Sequence, residues 1–156
     1  MQKIKLLLLI LLSLNLYSSD INFDDIILKS KKQNKQIMVF FHMEHCGWCH
    51  KMINDSLSDK TIKKIIKDKF IFVDIDVETS GNVIYQNKSI EKIDFARKYK
   101  VWFYPTTLIF EDMELIQRVR GYRNKTKFLN IVLYLSSKSY KTMTLKEYIV
   151  NSEFDK

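Results

Sequence analysis

Cys46 and Cys49 are the only two cysteines in the 156-residue chain, and two residues separate them in Cys46-Gly47-Trp48-Cys49-His50. A strand-to-helix turn with that spacing brings the two sulfurs within reach of a disulfide. It also sets the first sulfur against unpaired N–H groups at the helix start, which favour thiolate over thiol. The thiolate is the attacking species in thiol–disulfide exchange, so Cys46 is the expected nucleophile and Cys49 the resolving thiol that releases a bound client.

Three other chemistries draw on the same residues. A structural disulfide is one, although a bridge enclosing two residues constrains the unfolded chain little beside one that closes a long loop. Cys-x-x-Cys-His is also the attachment motif of c-type haem. Against haem, the motif follows an apolar strand in an α/β pattern, and five residues alone supply no haem pocket. Zinc or copper would suit His42, His45, Cys46, Cys49 and His50, which fall within nine residues. A turn and a helix do not obviously aim all five at one point, and His42 at a strand end reads as a satisfied polar residue.

The elements that position the cysteines follow from the apolar pattern. Phe23 to Lys32 suits a short helix begun by Asn22 or Asp24, and the unbroken apolar run Ile37 to Phe41 suits a buried strand. Met52, Ile53 and Leu57 mark a helical face after Cys49. Asp59 caps a further helix carrying Ile62, Ile65 and Ile66, and Phe70 to Val77 is a second buried strand. Gly81 to Lys88 reads as a polar loop, and Ser89 to Tyr99 as a helix. Thr106 to Glu111 and Leu115 to Arg120 form a hairpin about Asp112-Met113-Glu114, Phe128 to Leu135 a closing helix, and Thr144-Leu145-Lys146-Glu147 a capping box for a last one. This order describes a mixed sheet covered by helices on both faces.

Composition sets the frame. The chain is 46% hydrophobic and 28% charged, which fits one compact domain. Lys3 and Lys5 precede an unbroken Leu/Ile run from Leu6 to Leu12, and Ser18 and Ser19 follow, so residues 1–19 read as a secretory signal, with an uncleaved anchor as the alternative. Without them 24 basic residues face 18 acidic ones, a formal charge of +6. The lysines are scattered, with no dense block or aromatic stripe to track a phosphate backbone, so no nucleic-acid partner is expected.

With these elements in place, Val39-Phe40-Phe41-His42-Met43-Glu44-His45-Cys46-Gly47-Trp48-Cys49-His50-Lys51-Met52 resembles the strand, active-site turn and helix of the thioredoxin superfamily. Tyr104-Pro105-Thr106 resembles its second signature, a cis-proline that opens a strand opposite the cysteines; Pro105 is the only proline here. The likeness extends to periplasmic thioredoxins of the SoxW kind through Ser56 to Asp59, Phe95 to Tyr99, Gly121-Tyr122 and Met143 to Tyr148. It implies an α/β thioredoxin fold over residues 20–156 with a C-terminal helical extension. It also implies a thiol:disulfide oxidoreductase that reduces disulfides of periplasmic proteins, with a disulfide oxidase or isomerase as the alternative.

The resemblance further implies catalytic Cys46 and Cys49, support from Pro105, Tyr104, Trp48, Gly47, His50 and Glu44, and no cofactor or metal. The partners it implies are client proteins with disulfides or thiols and a membrane thiol reductase as electron donor, the chain itself being a monomer. One position departs from the pattern: thioredoxins often hold a buried acid six residues before the first cysteine, where this chain has Phe40. His50, Glu44 or a water is left to deprotonate Cys49.

Overall fold

The computed structural model describes residues 20–154, so the expected leader at 1–19 lies outside the described residues. The first long element, α1 (Phe23–Gln33), starts where the Asn22 side chain accepts the Asp25 N–H at 3.1 Å, with Asp24 and Asp25 in its first turn and Lys31 and Lys32 in its last. Both ends complement the helix dipole. Asn34, at φ 49°, closes it in the left-handed region.

Strand β2 (Gln36–His42) follows and becomes the centre of a four-stranded sheet. It runs parallel to β3 (Phe70–Asp76) and antiparallel to β6 (Thr106–Glu111), which pairs with β7 (Glu114–Arg120); the order is β3-β2-β6-β7. Its side chains alternate between two cores. Met38 and Phe40 pack with Met52, Ile62, Phe128 and Leu135, whereas Ile37, Val39 and Phe41 pack with Phe23, Phe95 and Phe110. An unbroken apolar run is what a strand covered on both faces requires.

Helices α2 (Gly47–Met52), α3 (Lys60–Lys69) and α5 (Lys125–Ser136) cover the first face, while α1 and α4 (Lys92–Lys98) cover the second. This is the expected mixed sheet between helices. Asp59 caps α3 by accepting the N–H groups of Thr61 and Ile62 at 2.9 and 3.1 Å. The capping box of α6 (Leu145–Phe154) also forms: Glu147 accepts the Thr144 N–H at 2.7 Å, and Thr144 Oγ1 accepts the Glu147 N–H at 3.3 Å.

Three expectations are corrected. Gly81 to Lys88 is largely a hairpin, β4 (Asn82–Tyr85) with β5 (Lys88–Glu91), and β4 pairs with the short β1 (Ile21–Asn22) in a second sheet. Its strands are too short to show alternation. Its turn is Gln86-Asn87, at φ 53° and 57°, instead of a glycine pair. Asp24 explains why that turn persists, since its carboxylate accepts the N–H groups of Gln86 and Asn87, each at 2.9 Å. The second correction follows: Ser89 to Glu91 belong to β5, and the helix begins at Lys92. Thirdly, the helix after Cys49 changes at Ile53–Leu57 into a π-helical turn, in which the Ser58 N–H reaches the Ile53 carbonyl at 2.8 Å.

Candidate functional site

The C-terminal end of β2 delivers the chain into Met43-Glu44-His45, and Cys46 then caps α2. Cys46 and Cys49 are joined as a disulfide with Cα atoms 5.2 Å apart. The Cys49 N–H points at Cys46 Sγ (3.1 Å) and at the Cys46 carbonyl (3.0 Å), and the His50 N–H reaches the same carbonyl at 3.1 Å. One helix-start donor, the Cys49 N–H, therefore faces the sulfur of Cys46, a contact that favours a thiolate there. The two sulfurs differ in access: Cys46 is half-buried and Cys49 fully enclosed.

The other expected site residues are placed as follows. Gly47 and Trp48 are exposed on the first turn of α2, and a Cβ at Gly47 would meet nothing within 4 Å, so packing does not demand glycine there. Trp48 tilts over Tyr122, with ring centroids 5.6 Å apart. Pro105 is buried behind a cis Tyr104–Pro105 bond at the start of β6, and its carbonyl accepts the Gly121 N–H at 2.7 Å. Tyr104 is half-buried, and burial raises its phenol pKa. Trp48, Tyr104, Gly121 and Tyr122 together line an open cavity of about 330 Å³.

Glu44 and His50 lie together on the exposed side, where His50 donates Nε2–H to the Glu44 carbonyl at 2.6 Å. His45 is exposed, its N–H directed at Glu78 Oε2 (3.4 Å). His42, in contrast, is held by Asp74 at 2.8 Å and stacks on Phe40. The histidines and cysteines that neighbour each other in sequence thus point to different partners, and among the described residues no three His, Cys, Asp or Glu side chains converge on one point.

Contacts that sequence reasoning passed over hold the site. The π-helical turn buries Ser56, whose hydroxyl donates to the Arg123 carbonyl at 2.7 Å, while the Arg123 N–H contacts Met52 Sδ at 3.4 Å. Tyr122 donates its hydroxyl to Asp55 at 2.7 Å, and Lys51 pairs with the same carboxylate at 2.9 Å. Those partners, Tyr122 before Lys51, hold the Asp55 carboxyl below its usual range. The Gly121-Tyr122-Arg123 loop is thereby fastened to the helix that carries the cysteines. Gly121 itself sits at φ 76°, a conformation that favours glycine. Lys51-Met52, Ser56 and Gly121-Tyr122 left a sequence signal as part of the resemblance; Asp55, Arg123, the π turn and the contacts across 67 residues left none.

The family described as a thioredoxin-like domain matches residues 23–136. Among curated proteins, mouse spermatogenesis-associated protein 20 is 34% identical over 55 residues, a stretch that is 35% of this chain and 7% of that much longer protein. Among solved structures, a thioredoxin from Thermus thermophilus is 23% identical with a TM-score of 0.60, covering 74% of this chain and 85% of that one. A thioredoxin-fold protein from Helicobacter pylori is 21% identical with a TM-score of 0.64, covering 78% and 86%.

Proposed function

Because the chain belongs to the thioredoxin-like domain family, we propose that it is an exported thiol:disulfide oxidoreductase that reduces disulfides of periplasmic proteins through Cys46 and Cys49. The observation that carries this reading is the asymmetry of the pair: a half-buried Cys46 whose sulfur faces the Cys49 N–H at the helix start, and an enclosed Cys49 three residues on. Attack by the Cys46 thiolate on a client disulfide forms a mixed disulfide. Cys49 then attacks Cys46, the Cys46–Cys49 bond forms, and the client leaves reduced. The oxidised pair is returned to dithiol by a membrane thiol reductase.

Trp48, Tyr104 and Tyr122 offer the client an apolar floor, with Pro105 following Tyr104 through the cis bond. The reaction needs only the two sulfurs, so no cofactor or metal is invoked. The Leu/Ile run behind Lys3 and Lys5 supports export, and the SoxW-like segments suggest a client in sulfur-compound metabolism or cytochrome maturation. A monomer suffices for the chemistry.

The deciding experiment is the redox potential of the pair, by dithiothreitol equilibration with mass-tagging of free thiols. A value near about −270 mV supports a reductase, whereas one near about −120 mV reverses the direction to oxidation. The absence of any reversible couple removes the reading.

A further inference from the structure

Trp48, Tyr104 and Tyr122 line the open cavity of about 330 Å³ with three rings, and Gly121 completes its wall without a side chain. Trp48 ties the cavity to the redox motif, since it stands between Cys46 and Cys49 in the chain. The rings are fixed from three separate elements. Trp48 rides on the first turn of α2 and tilts over Tyr122 with centroids 5.6 Å apart. Tyr104 precedes the cis bond to Pro105, and the Thr106 hydroxyl donates at 2.6 Å to the carbonyl of Phe103 just before it.

Tyr122, in the loop after β7, is held at both its edge and its face. Its hydroxyl donates to Asp55 at 2.7 Å, Lys51 pairs with that carboxylate at 2.9 Å, and Lys51 Nζ lies 5.5 Å from the centre of the Tyr122 ring. The bond to Asp55 raises the Tyr122 phenol pKa, which keeps the hydroxyl a donor. Lys51 belongs to α2 and Asp55 to the π-helical turn that continues it, so the helix carrying the cysteines sets where this ring stands. These contacts do not serve a core: Trp48, Lys51 and Asp55 are all exposed.

The lining selects among guests. Aromatic rings attract a further ring in edge-to-face or offset contact. A cation over a ring is the usual rival, but two cations already flank this wall. Lys51 lies over the Tyr122 ring, and Arg123 Nη1 donates to the Tyr122 carbonyl at 2.9 Å and comes within 3.9 Å of where a Cβ on Gly121 would stand. The Asp55 carboxylate is already shared by Lys51 and Tyr122, so a third cation meets repulsion.

We propose that this cavity is a subsite for an aromatic side chain flanking the client's half-cystine, and that Asp55, acting through Tyr122, is the positioning residue that sets the preference. The proposal rests on the thiol-exchange reading above and narrows its substrate class. Favoured clients carry an aromatic neighbour beside the reacting disulfide, and a lysine or arginine neighbour is disfavoured. A disulfide with no flanking side chain has nothing to place in the cavity.

The test uses the reduced full-length protein and symmetric disulfides of the tripeptides X-Cys-X, in which X is phenylalanine, leucine, alanine or lysine. Released thiol is measured by chromatography after acid quenching. Wild type should reduce the phenylalanine peptide about 10-fold faster than the alanine peptide, with leucine between them and lysine slowest. Tyr122→Ala should bring the phenylalanine-to-alanine ratio close to unity. Tyr122→Phe and Asp55→Asn, which keep the ring but release it, should each lower the ratio about threefold. A purely structural effect slows all four peptides alike, so an unchanged ratio in Asp55→Asn overturns the positioning role. Asp55 is exposed, and this variant decides that role should Tyr122→Ala fail to fold. Equal wild-type rates for phenylalanine and alanine, or leucine ahead of phenylalanine, overturn the subsite. Failure of wild type to reduce any of the peptides overturns the thiol-exchange reading itself, and the subsite with it.

Discussion

Cys49 donates its backbone N–H to the sulfur of Cys46 at 3.1 Å while its own side chain is enclosed. One residue thus stabilises its partner's thiolate through the main chain and withholds its own sulfur from solvent. Removing each sulfur should therefore give different products. Cys49→Ser is expected to accumulate a single glutathione adduct on Cys46 when mixed with glutathione disulfide, and Cys46→Ser to gain almost none. Intact-mass spectrometry reads both, and equal labelling of the two variants would contradict the assigned roles.

Trp48 is 61% exposed, so it does not support the core. Its removal should leave stability nearly unchanged while lowering turnover of a protein disulfide. We expect Trp48→Ala to reduce the rate of insulin reduction several-fold and to leave a small aromatic disulfide unaffected, because only the larger client needs the apolar floor. Equal loss with both substrates would place the effect on the sulfurs instead.

Thr107 stands directly across from Phe40 in the β2–β6 pairing, and its buried hydroxyl has no hydrogen-bond partner among the described residues. Thr107→Val replaces that hydroxyl by a methyl of similar size and should raise stability by about 1 kcal/mol. The urea unfolding midpoint checks the sign. A fall would show that the hydroxyl is satisfied in solution.

The sheet was readable because strands buried on both faces must be continuously apolar, as Ile37 to Phe41 is, and because Asn22, Asp59 and Thr144 are side chains that cap helices. The redox pair was readable for the same kind of reason, since its chemistry depends on a local spacing. What escaped was non-local. The Gln86-Asn87 turn persists through Asp24, 62 residues away, and the Tyr122 loop through Asp55 and Ser56. His42 reads as an ordinary polar strand end until β3 brings Asp74 beside it.

Glu111 lies at the end of the sheet opposite the cysteines. Burial pushes its carboxyl up, but Lys138, Tyr140 and Lys141 together outweigh this and bring its pKa down to about 2. Lys138 pairs with it at 2.8 Å and Lys141 at 3.0 Å, and the Tyr140 hydroxyl donates to it. A depressed carboxyl contributes stability that is fully present above its unfolded value near 4.5 and is lost as pH falls towards about 2. Glu111→Gln should therefore lower the unfolding midpoint at pH 6 and flatten its decline between those two values. A parallel shift at every pH would assign the loss to packing alone.

The π-helical turn at Ile53–Leu57 holds one residue more than an α-helical turn would. Each helical residue advances the face by about 100°, so this single extra residue rotates everything after it relative to the cysteines before it. Met52 before the turn and Ser56 within it both address Arg123, the one through its N–H and the other through its carbonyl. The turn acts as a phase adjuster between the sulfurs and the Gly121 loop. Restoring regular winding by deleting one residue would leave both ends intact and mis-set the angle at which they meet, so this stretch should tolerate substitution far better than any change in its length.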